Sequence, residues 1–294
     1  MESFFTFLEK RVDDCSSLLC VGLDPHVSDL PEPTAAGALD FSLNLVKQTA
    51  PYAAAFKPNA AFFEQFGADG WTALKQVIEA IQEQSDRLGS MIPVILDAKR
   101  GDIASTAEAY AKAAFDTLGA HCITLSPYLG KDSIYPFIGN SEKGVFLLCK
   151  TSNPGADDLQ NLLVTNDQQT TTDSSVLGHS SSVSTSPSSV PLYIHVARLA
   201  QAWNTKNNIG LVVGATQPEA LARVRAAAPS LWFLSPGVGA QGGDLEVALR
   251  AGLRKDGKGM LIPVSRGISR AAKPAIAAAE FRDEIVNIRR NMKI

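Results

Sequence analysis

Short apolar runs alternate with amphipathic stretches along almost the whole chain, and this alternation is the feature that most limits its fold. Eight runs have the length and composition of buried strands, at residues 18–23, 53–57, 92–97, 122–125, 145–150, 209–213, 232–234 and 260–264. Between them, residues 71–87, 103–118, 218–228 and 245–253 carry apolar side chains at the 3.6-residue spacing of a helix packed on one face. Eight such units predict an α/β fold, a (β/α)8 TIM barrel. A closed barrel explains the alternation more economically than an open doubly wound sheet does.

Composition and charge indicate a single soluble domain over residues 1–294. With 45% hydrophobic residues and a formal net charge of -3, the chain can bury a large core. It has no excess of positive charge for a nucleic acid or a membrane surface. The N-terminus is too acidic for a signal peptide, and no apolar run approaches the ~20 residues of a membrane span. We therefore expect a cytoplasmic protein.

The four cysteines, Cys15, Cys20, Cys122 and Cys149, lack the C-x-x-C spacing of metal and redox sites. Three of them lie within apolar, strand-like runs. We interpret them as small buried hydrophobic residues.

Residues 165–190 break the pattern, because they are mostly Ser, Thr, Asp, Gln and Asn. Such a segment has too few apolar side chains to join a core. It falls between the fifth predicted strand and a helix beginning near Val190, on the carboxyl-terminal face where barrels keep their active sites. We predict a flexible insertion rather than a regulatory tail, since surface loops tolerate added length.

The third predicted strand ends in a D-x-K-x-x-D pattern made of Asp97, Lys99 and Asp102. Asp102 has an alternative role as the cap of the helix that begins near Ile103. Lys99 favours a functional interpretation, because an ammonium between two carboxylates stays charged and suits an electrostatic proton donor. The second predicted strand ends on Lys57, so charged groups follow two neighbouring strands.

Polar residues follow other predicted strands as well, and a barrel would collect them at one mouth. They are Asp24 after the first strand, Asn59 after the second, residues 151–153 after the fifth, the Gly-rich residues 235–244 after the seventh, and Arg266 with Gly267 after the eighth. Exposed backbone N–H groups of the Gly-rich loop, together with Arg266, predict a phosphate site for a small phosphorylated molecule. The same loop contains G-x-G-x-x-G, but the next predicted strand ends without an acidic residue, which argues against a nicotinamide cofactor.

Several motifs resemble the orotidine 5'-phosphate decarboxylase family, in order across nearly the whole chain. They are Leu23-Asp24-Pro25, Phe56-Lys57-Pro58-Asn59, Asp97-Ala98-Lys99-Arg100-Gly101-Asp102-Ile103, Lys150-Thr151-Ser152-Asn153-Pro154-Gly155, the loop from Ser235 to Gly243, and Arg266-Gly267. The Lys-Thr-Ser-Asn-Pro stretch resembles the longer, mainly bacterial type 2 branch. D-x-K-x-x-D alone is shared with related barrel enzymes, whereas its combination with the Pro-Gly-Val-Gly-x-Gln-Gly-Gly loop is highly specific.

The resemblance implies decarboxylation of orotidine 5'-monophosphate to uridine 5'-monophosphate in de novo pyrimidine biosynthesis, with no cofactor and no metal. It implies that Lys99 stabilises and protonates a carbanion at C6 of the pyrimidine. Asp97, together with Asp102 of a partner subunit, would keep Lys99 charged and oriented, and Lys57 would complete an alternating chain of charges. The resemblance therefore implies that this chain forms a homodimer, in which each subunit reaches into the site of its partner.

The resemblance also implies a set of substrate-binding residues. They are Asp24, Asn59, Ser152, Gln241, Arg266 and Gly267, together with Thr106 of the partner subunit. Asp24 and the partner's Thr106 are expected at the ribose hydroxyls. Ser152 is expected at the pyrimidine amide, and Gln241 with Arg266 at the phosphate.

Two other functions stay open from the residues alone. A metal-dependent phosphosugar decarboxylase, aldolase or epimerase would share the D-x-K-x-x-D barrel, although Lys57 stands where a Mg2+ site would want a carboxylate. A non-catalytic phosphosugar-binding barrel is the second alternative. The ammonium between carboxylates argues against it, because binding alone does not need such a group.

Overall fold

Eight parallel strands surround one barrel in the structure, a computed structural model that describes residues 2–165, 189–239 and 242–292. The strands are β1 (Leu19–Leu23), β2 (Ala55–Pro58), β3 (Ile95–Arg100), β4 (Cys122–Leu125), β5 (Gly144–Lys150), β6 (Ile209–Val213), β7 (Phe233–Leu234) and β8 (Met260–Val264). Hydrogen-bonded neighbours follow the order β2-β1-β8-β7-β6-β5-β4-β3. Backbone bridges from Phe56 to Val94 and from Asn59 to Asp97 join β2 to β3 and complete the circle. The predicted (β/α)8 barrel is confirmed.

Helices lie between successive strands, before the first strand and after the last. They are α1 (Phe4–Cys15), α2 (Ala35–Thr49), α3 (Ala61–Glu64), α4 (Gly67–Leu88), α5 (Ala104–Lys112), α6 (Lys131–Ile138), α7 (Leu192–Trp203), α8 (Pro218–Ala227), α9 (Leu245–Gly252), α10 (Arg266–Ser269) and α11 (Pro274–Asn291), with short 3-10 helices at Val27–Asp29 and Pro154–Asp158. The stretch predicted as one helix over 103–118 is instead α5 followed by a π-helical turn, Ala113–Thr117. This turn carries Phe115 into the core, where its ring centroid lies 6.3 Å from that of Phe137.

Helix α1 closes the amino-terminal end of the barrel. Its Phe5 ring stacks on Trp232, just before β7, with 6.2 Å between ring centroids, and meets Phe146 of β5 edge-on at 5.5 Å. Glu9 of the same helix accepts hydrogen bonds from Trp232 Nε1 at 3.1 Å and from Arg254 at 2.6 Å. With this end filled, the loops at the carboxyl ends of the strands form the side on which a site can be built.

Two short antiparallel strands flank the predicted insertion and form a hairpin. Leu163–Thr165 pairs antiparallel with Ser189–Pro191, and Thr165 lies opposite Ser189. Residues 166–188, almost all of the insertion predicted at 165–190, lie outside the described residues. The hairpin therefore brings the two ends of this segment side by side on the loop after β5.

The four cysteines are buried free thiols, as predicted. Burial raises the pKa of the Cys20 thiol, inside the barrel, to about 12. Among the residues that the structure describes, no helix is long and apolar enough to cross a membrane.

Candidate active site

Four charged side chains meet at the carboxyl ends of β1, β2 and β3. Lys57 Nζ donates a hydrogen bond to Asp97 Oδ2 at 2.7 Å, and Lys99 Nζ donates to Asp97 Oδ1 at 2.6 Å. On the other side of Lys57, Asp24 Oδ1 lies 3.9 Å from Nζ. The four predicted residues thus form a row of alternating charge, in the order Asp24, Lys57, Asp97 and Lys99.

The two lysines of this row differ in exposure. The Lys57 side chain is 9% exposed, whereas that of Lys99 is 51% exposed. Lys57 belongs to β2 and points into the barrel, where neighbouring carboxylates offset the cost of burying its charge. Lys99 is therefore the ammonium that a molecule in the mouth can reach.

Mutual attraction keeps the buried members of the row charged. Burial alone lowers the pKa of Lys57, but the negative charges of Asp97 and Asp24 outweigh burial, so the pKa stands above its usual range. Burial likewise favours protonation of Asp97, but the ammonium groups of Lys57 and Lys99 hold its pKa well below the usual range. At neutral pH Lys57 is therefore protonated and Asp97 is ionised.

Thr124 of β4, which was not among the predicted site residues, contacts this row directly. Its Oγ1 is 3.0 Å from Asp97 Oδ1, and it accepts hydrogen bonds from the backbone N–H groups of Ala98 at 3.1 Å and Lys99 at 2.9 Å. The available signal in the sequence is one hydroxyl in the otherwise apolar strand Cys122–Leu125. This pattern does not predict which residue of β3 lies opposite the Thr124 hydroxyl.

Asp102 and Thr106 lie apart from the charged row of their own chain. Among the described residues, the ion pair of Lys99 goes to Asp97 rather than to Asp102. Asp102 Oδ1 accepts a hydrogen bond from the next backbone N–H at 2.8 Å, and Thr106 is exposed on α5. Helix α5 begins without a side-chain cap, so the alternative role of Asp102 as its cap is not found.

Asn59 and Ser152 both lie on loops at the mouth. Asn59 Oδ1 accepts a hydrogen bond from Ala61 N at 3.2 Å, at the start of α3. Ser152 follows β5 and is half-buried against Gly214, the residue after β6. Both positions are compatible with a molecule bound across the strand ends.

Arg266 and Gly267 form the first turn of α10, directly after β8. The Arg266 side chain is exposed. A Cβ at Gly267 would lie 3.2 Å from the Phe281 ring, so the missing side chain allows α10 to pack closely on α11. Gly267 therefore has a packing role beside any role in binding.

The Gly-rich loop after β7 folds back on itself. Its backbone N–H groups at Gly239, Gly242 and Gly243 donate to carbonyl groups of the same loop at 2.8 to 3.0 Å. The expectation of exposed N–H groups is wrong for these three, because φ values of 108°, 70° and 84° at Gly237, Gly239 and Gly242 turn the chain inward. Gln241, the predicted phosphate ligand of this loop, lies outside the described residues.

Three buried polar atoms at the mouth have no hydrogen-bond partner within the described ranges. They are Asp24 Oδ1 and the hydroxyl oxygens of Ser235 and Ser265, which follow β1, β7 and β8. Buried polar atoms normally have partners, so unpaired atoms in a mouth indicate a bound molecule or water. Ser235 and Ser265 were not selected individually from the sequence.

An accessible ammonium fixed by a buried ion pair is suited to stabilising negative charge that develops in a bound molecule. Its position at the carboxyl-terminal mouth of a (β/α)8 barrel is the usual place for catalysis in this fold. Fold and site together are those of a barrel enzyme whose mouth offers a positive charge to a bound molecule.

Comparison with known proteins narrows this class. Residues 17–281 match the family described as "Orotidine 5'-phosphate decarboxylase / HUMPS family". The orotidine 5'-phosphate decarboxylase of Roseiflexus castenholzii is 43% identical over 294 residues, covering 96% of this chain and 97% of the relative. The chain belongs to the orotidine 5'-phosphate decarboxylase family.

Solved structures agree with this assignment. The Leishmania donovani OMP decarboxylase superimposes with a TM-score of 0.82 at 52% sequence identity, covering 98% of this chain and 99% of that one. The Leishmania donovani UMP synthase superimposes with a TM-score of 0.83 at 53% identity. This chain spans 57% of the length of that longer protein.

Proposed function

We propose that this chain decarboxylates orotidine 5'-monophosphate to uridine 5'-monophosphate, without a metal or other cofactor. The observation that carries the proposal is the shared carboxylate of Asp97, which binds the buried Lys57 and the accessible Lys99. The names of relatives aligned over nearly the whole chain support it. Asp97 already binds an ammonium group with each of its oxygens, which disfavours a metal ion at this carboxylate.

The chemistry follows from the charges. When CO2 leaves, the electron pair of the broken bond stays on C6 of the pyrimidine. Lys99 stabilises this carbanion by its positive charge and then transfers a proton to C6. Asp97 and Lys57 hold the ammonium in place before substrate binds, so little reorganisation is needed in the transition state.

The other residues of the mouth bind the substrate. Asp24 holds ribose hydroxyls, Ser152 the pyrimidine amide, and Arg266 with Gln241 the phosphate, while Asn59 and Gly267 border the site. Asp24 Oδ1 is buried without a hydrogen-bond partner, which supports the role of Asp24 in this assignment. Binding energy from the phosphate, far from C6, is then available to lower the barrier at the reacting atoms.

We also propose a homodimer in which Asp102 and Thr106 complete the site of the partner subunit. Large apolar side chains are exposed on α5 and α6 and just before each of these helices; they are Ile103, Tyr110, Tyr128, Leu129 and Tyr135. Exposed apolar surface of this kind is typical of protein interfaces. A second copy of the chain covers it, and brings Asp102 to the exposed ammonium of the neighbouring Lys99.

The same proposal includes one cytoplasmic domain over residues 1–294, with 165–190 as an insertion. Four unpaired thiols suit a reducing compartment.

Conversion of orotidine 5'-monophosphate by the purified protein, followed by its absorbance, tests the function directly. We expect turnover that is unchanged by EDTA. Turnover that disappears with EDTA and returns with Mg2+ would favour the metal-dependent alternative. Binding of uridine 5'-monophosphate without any turnover would favour the non-catalytic barrel.

Substitution of Lys99 by Ala tests the proposed role of the ammonium. We expect kcat to fall by at least about 1000-fold, because the carbanion loses both its counter-charge and its proton donor. Binding of uridine 5'-monophosphate, measured by calorimetry, should largely persist. Lys75→Ala, on the exposed face of α4, is the control and should keep wild-type kcat. Near-normal kcat in Lys99→Ala would refute the mechanism.

A further inference from the structure

Lys99 lies on a stretch of β3 that departs from regular pairing. Leu96 pairs with Ile123 of β4 and Arg100 pairs with Leu125, so β3 advances four residues while β4 advances two. Within this irregular stretch, Lys99 has a φ of 47°, in the left-handed region that residues other than glycine rarely adopt. A conformation of this kind persists only where its surroundings hold it.

Thr124 provides the hydrogen bonds that regular pairing would otherwise give. Its Oγ1 accepts from two successive backbone N–H groups, those of Ala98 and Lys99. A hydroxyl has two lone pairs and one proton, and both lone pairs are used here. The proton is therefore directed to the third neighbour, Asp97 Oδ1 at 3.0 Å, which also accepts from Lys99 Nζ.

We propose that Thr124 is a positioning residue for the decarboxylation. Its hydroxyl holds the backbone of Lys99 in the left-handed conformation and orients the Asp97 carboxylate, so that the Lys99 ammonium occupies one fixed place at C6. Thr124 is 1% exposed, so it acts through Lys99 and Asp97 rather than by touching the substrate. This inference rests on the proposed function.

Thr124→Val keeps the shape of the side chain and removes the hydroxyl. We expect kcat to fall about 10- to 100-fold while KM changes less than about threefold, because the reacting ammonium is displaced and the substrate contacts remain. A purely structural role would not give a loss of kcat that spares KM and is reversed by a hydroxyl alone.

Two variants control the experiment. Thr124→Ser restores the hydroxyl and should have a kcat within about threefold of wild type. Thr49→Val removes another fully buried hydroxyl, one that donates to Leu45 O at 2.8 Å in α2, and should leave kcat unchanged. If Thr124→Val does not fold, Thr124→Ala and Thr124→Ser form a second pair that differs in the hydroxyl alone.

Wild-type kcat in Thr124→Val would overturn the inference, as would equal damage in Thr124→Ser. A wild-type protein that forms no uridine 5'-monophosphate contradicts the proposed function instead. In that case a crystal structure of Thr124→Val tests the positioning role of Thr124 without any measurement of activity. Loss of the Lys99 to Asp97 ion pair supports the inference, and an unchanged Lys99 backbone overturns it.

Discussion

At the scale of single residues, the site depends on a buried ion pair in which each partner needs the other. The side chains of Lys57 and Asp97 are both almost fully buried. Removing either charged group from water is costly, and the other group compensates only while the pair is intact. The Asp97 carboxylate therefore supports both the barrel mouth and the accessible ammonium of Lys99.

The Asp97→Asn variant should be less stable than wild type by about 3–5 kcal/mol at neutral pH, because it breaks this pair. The folded pKa of Asp97 lies below that of the unfolded chain, about 3.9, so acid protonates the unfolded chain first. Its contribution to stability is complete above about pH 4 and is lost as the pH falls further. Urea unfolding from pH 7 to pH 3 should show the wild type and the variant converging.

Asp86→Asn, on the exposed face of α4, is the matched control and should change stability by less than about 0.5 kcal/mol. Unfolding curves of wild type and Asp97→Asn that stay equally separated at every pH would contradict the ion-pair explanation.

At the scale of elements, the strands were predictable because a strand buried on both faces is a continuous apolar run. The largest difference is at β3, predicted over 92–97 and observed at Ile95–Arg100. The strand continues through its charged residues because the Thr124 hydroxyl replaces backbone pairing, and that depends on the register of β4, which no local pattern reveals. The folded-back Gly-rich loop was missed for a similar reason, since glycine permits a positive φ without specifying which carbonyl groups the N–H groups will meet.

The hairpin that flanks the insertion allows the insertion to be deleted, because Thr165 and Ser189 already lie opposite each other. Replacing residues 166–188 with an Asn-Gly turn between Thr165 and Ser189 should change the melting temperature by less than about 3 °C. The removed segment has only Val176, Leu177 and Val183 as aliphatic side chains, so little burial is lost. Circular dichroism measures the transition, and a variant with a Gly/Ser segment of equal length separates composition from length. A cooperative loss of the fold in both variants would show that the segment packs on the barrel.

At the scale of the whole molecule, the proposed dimer predicts that two inactive variants rescue each other. Lys99→Ala and Asp102→Ala homodimers should both be nearly inactive. Unfolding and refolding an equal mixture gives about half heterodimers, each with one intact and one doubly altered site, so roughly a quarter of wild-type activity should return. No recovery after verified subunit exchange, or a monomer by light scattering, would show that Asp102 does not serve a neighbouring site.

The contacts of helix α1 also determine when this helix can finish packing during synthesis. It is made before the strands of the barrel, but its Glu9 is bound by Trp232 and Arg254, which lie 223 and 245 residues further along the chain. The buried face of α1, with Phe4, Phe5 and Leu8, therefore is not fully covered until Trp232 and Arg254 have been translated. Until then the nascent chain exposes part of this aromatic face, and exposed surfaces of this kind are prone to aggregation. Helix α1 precedes the barrel in synthesis, yet its packing is completed only after most of the barrel has been made.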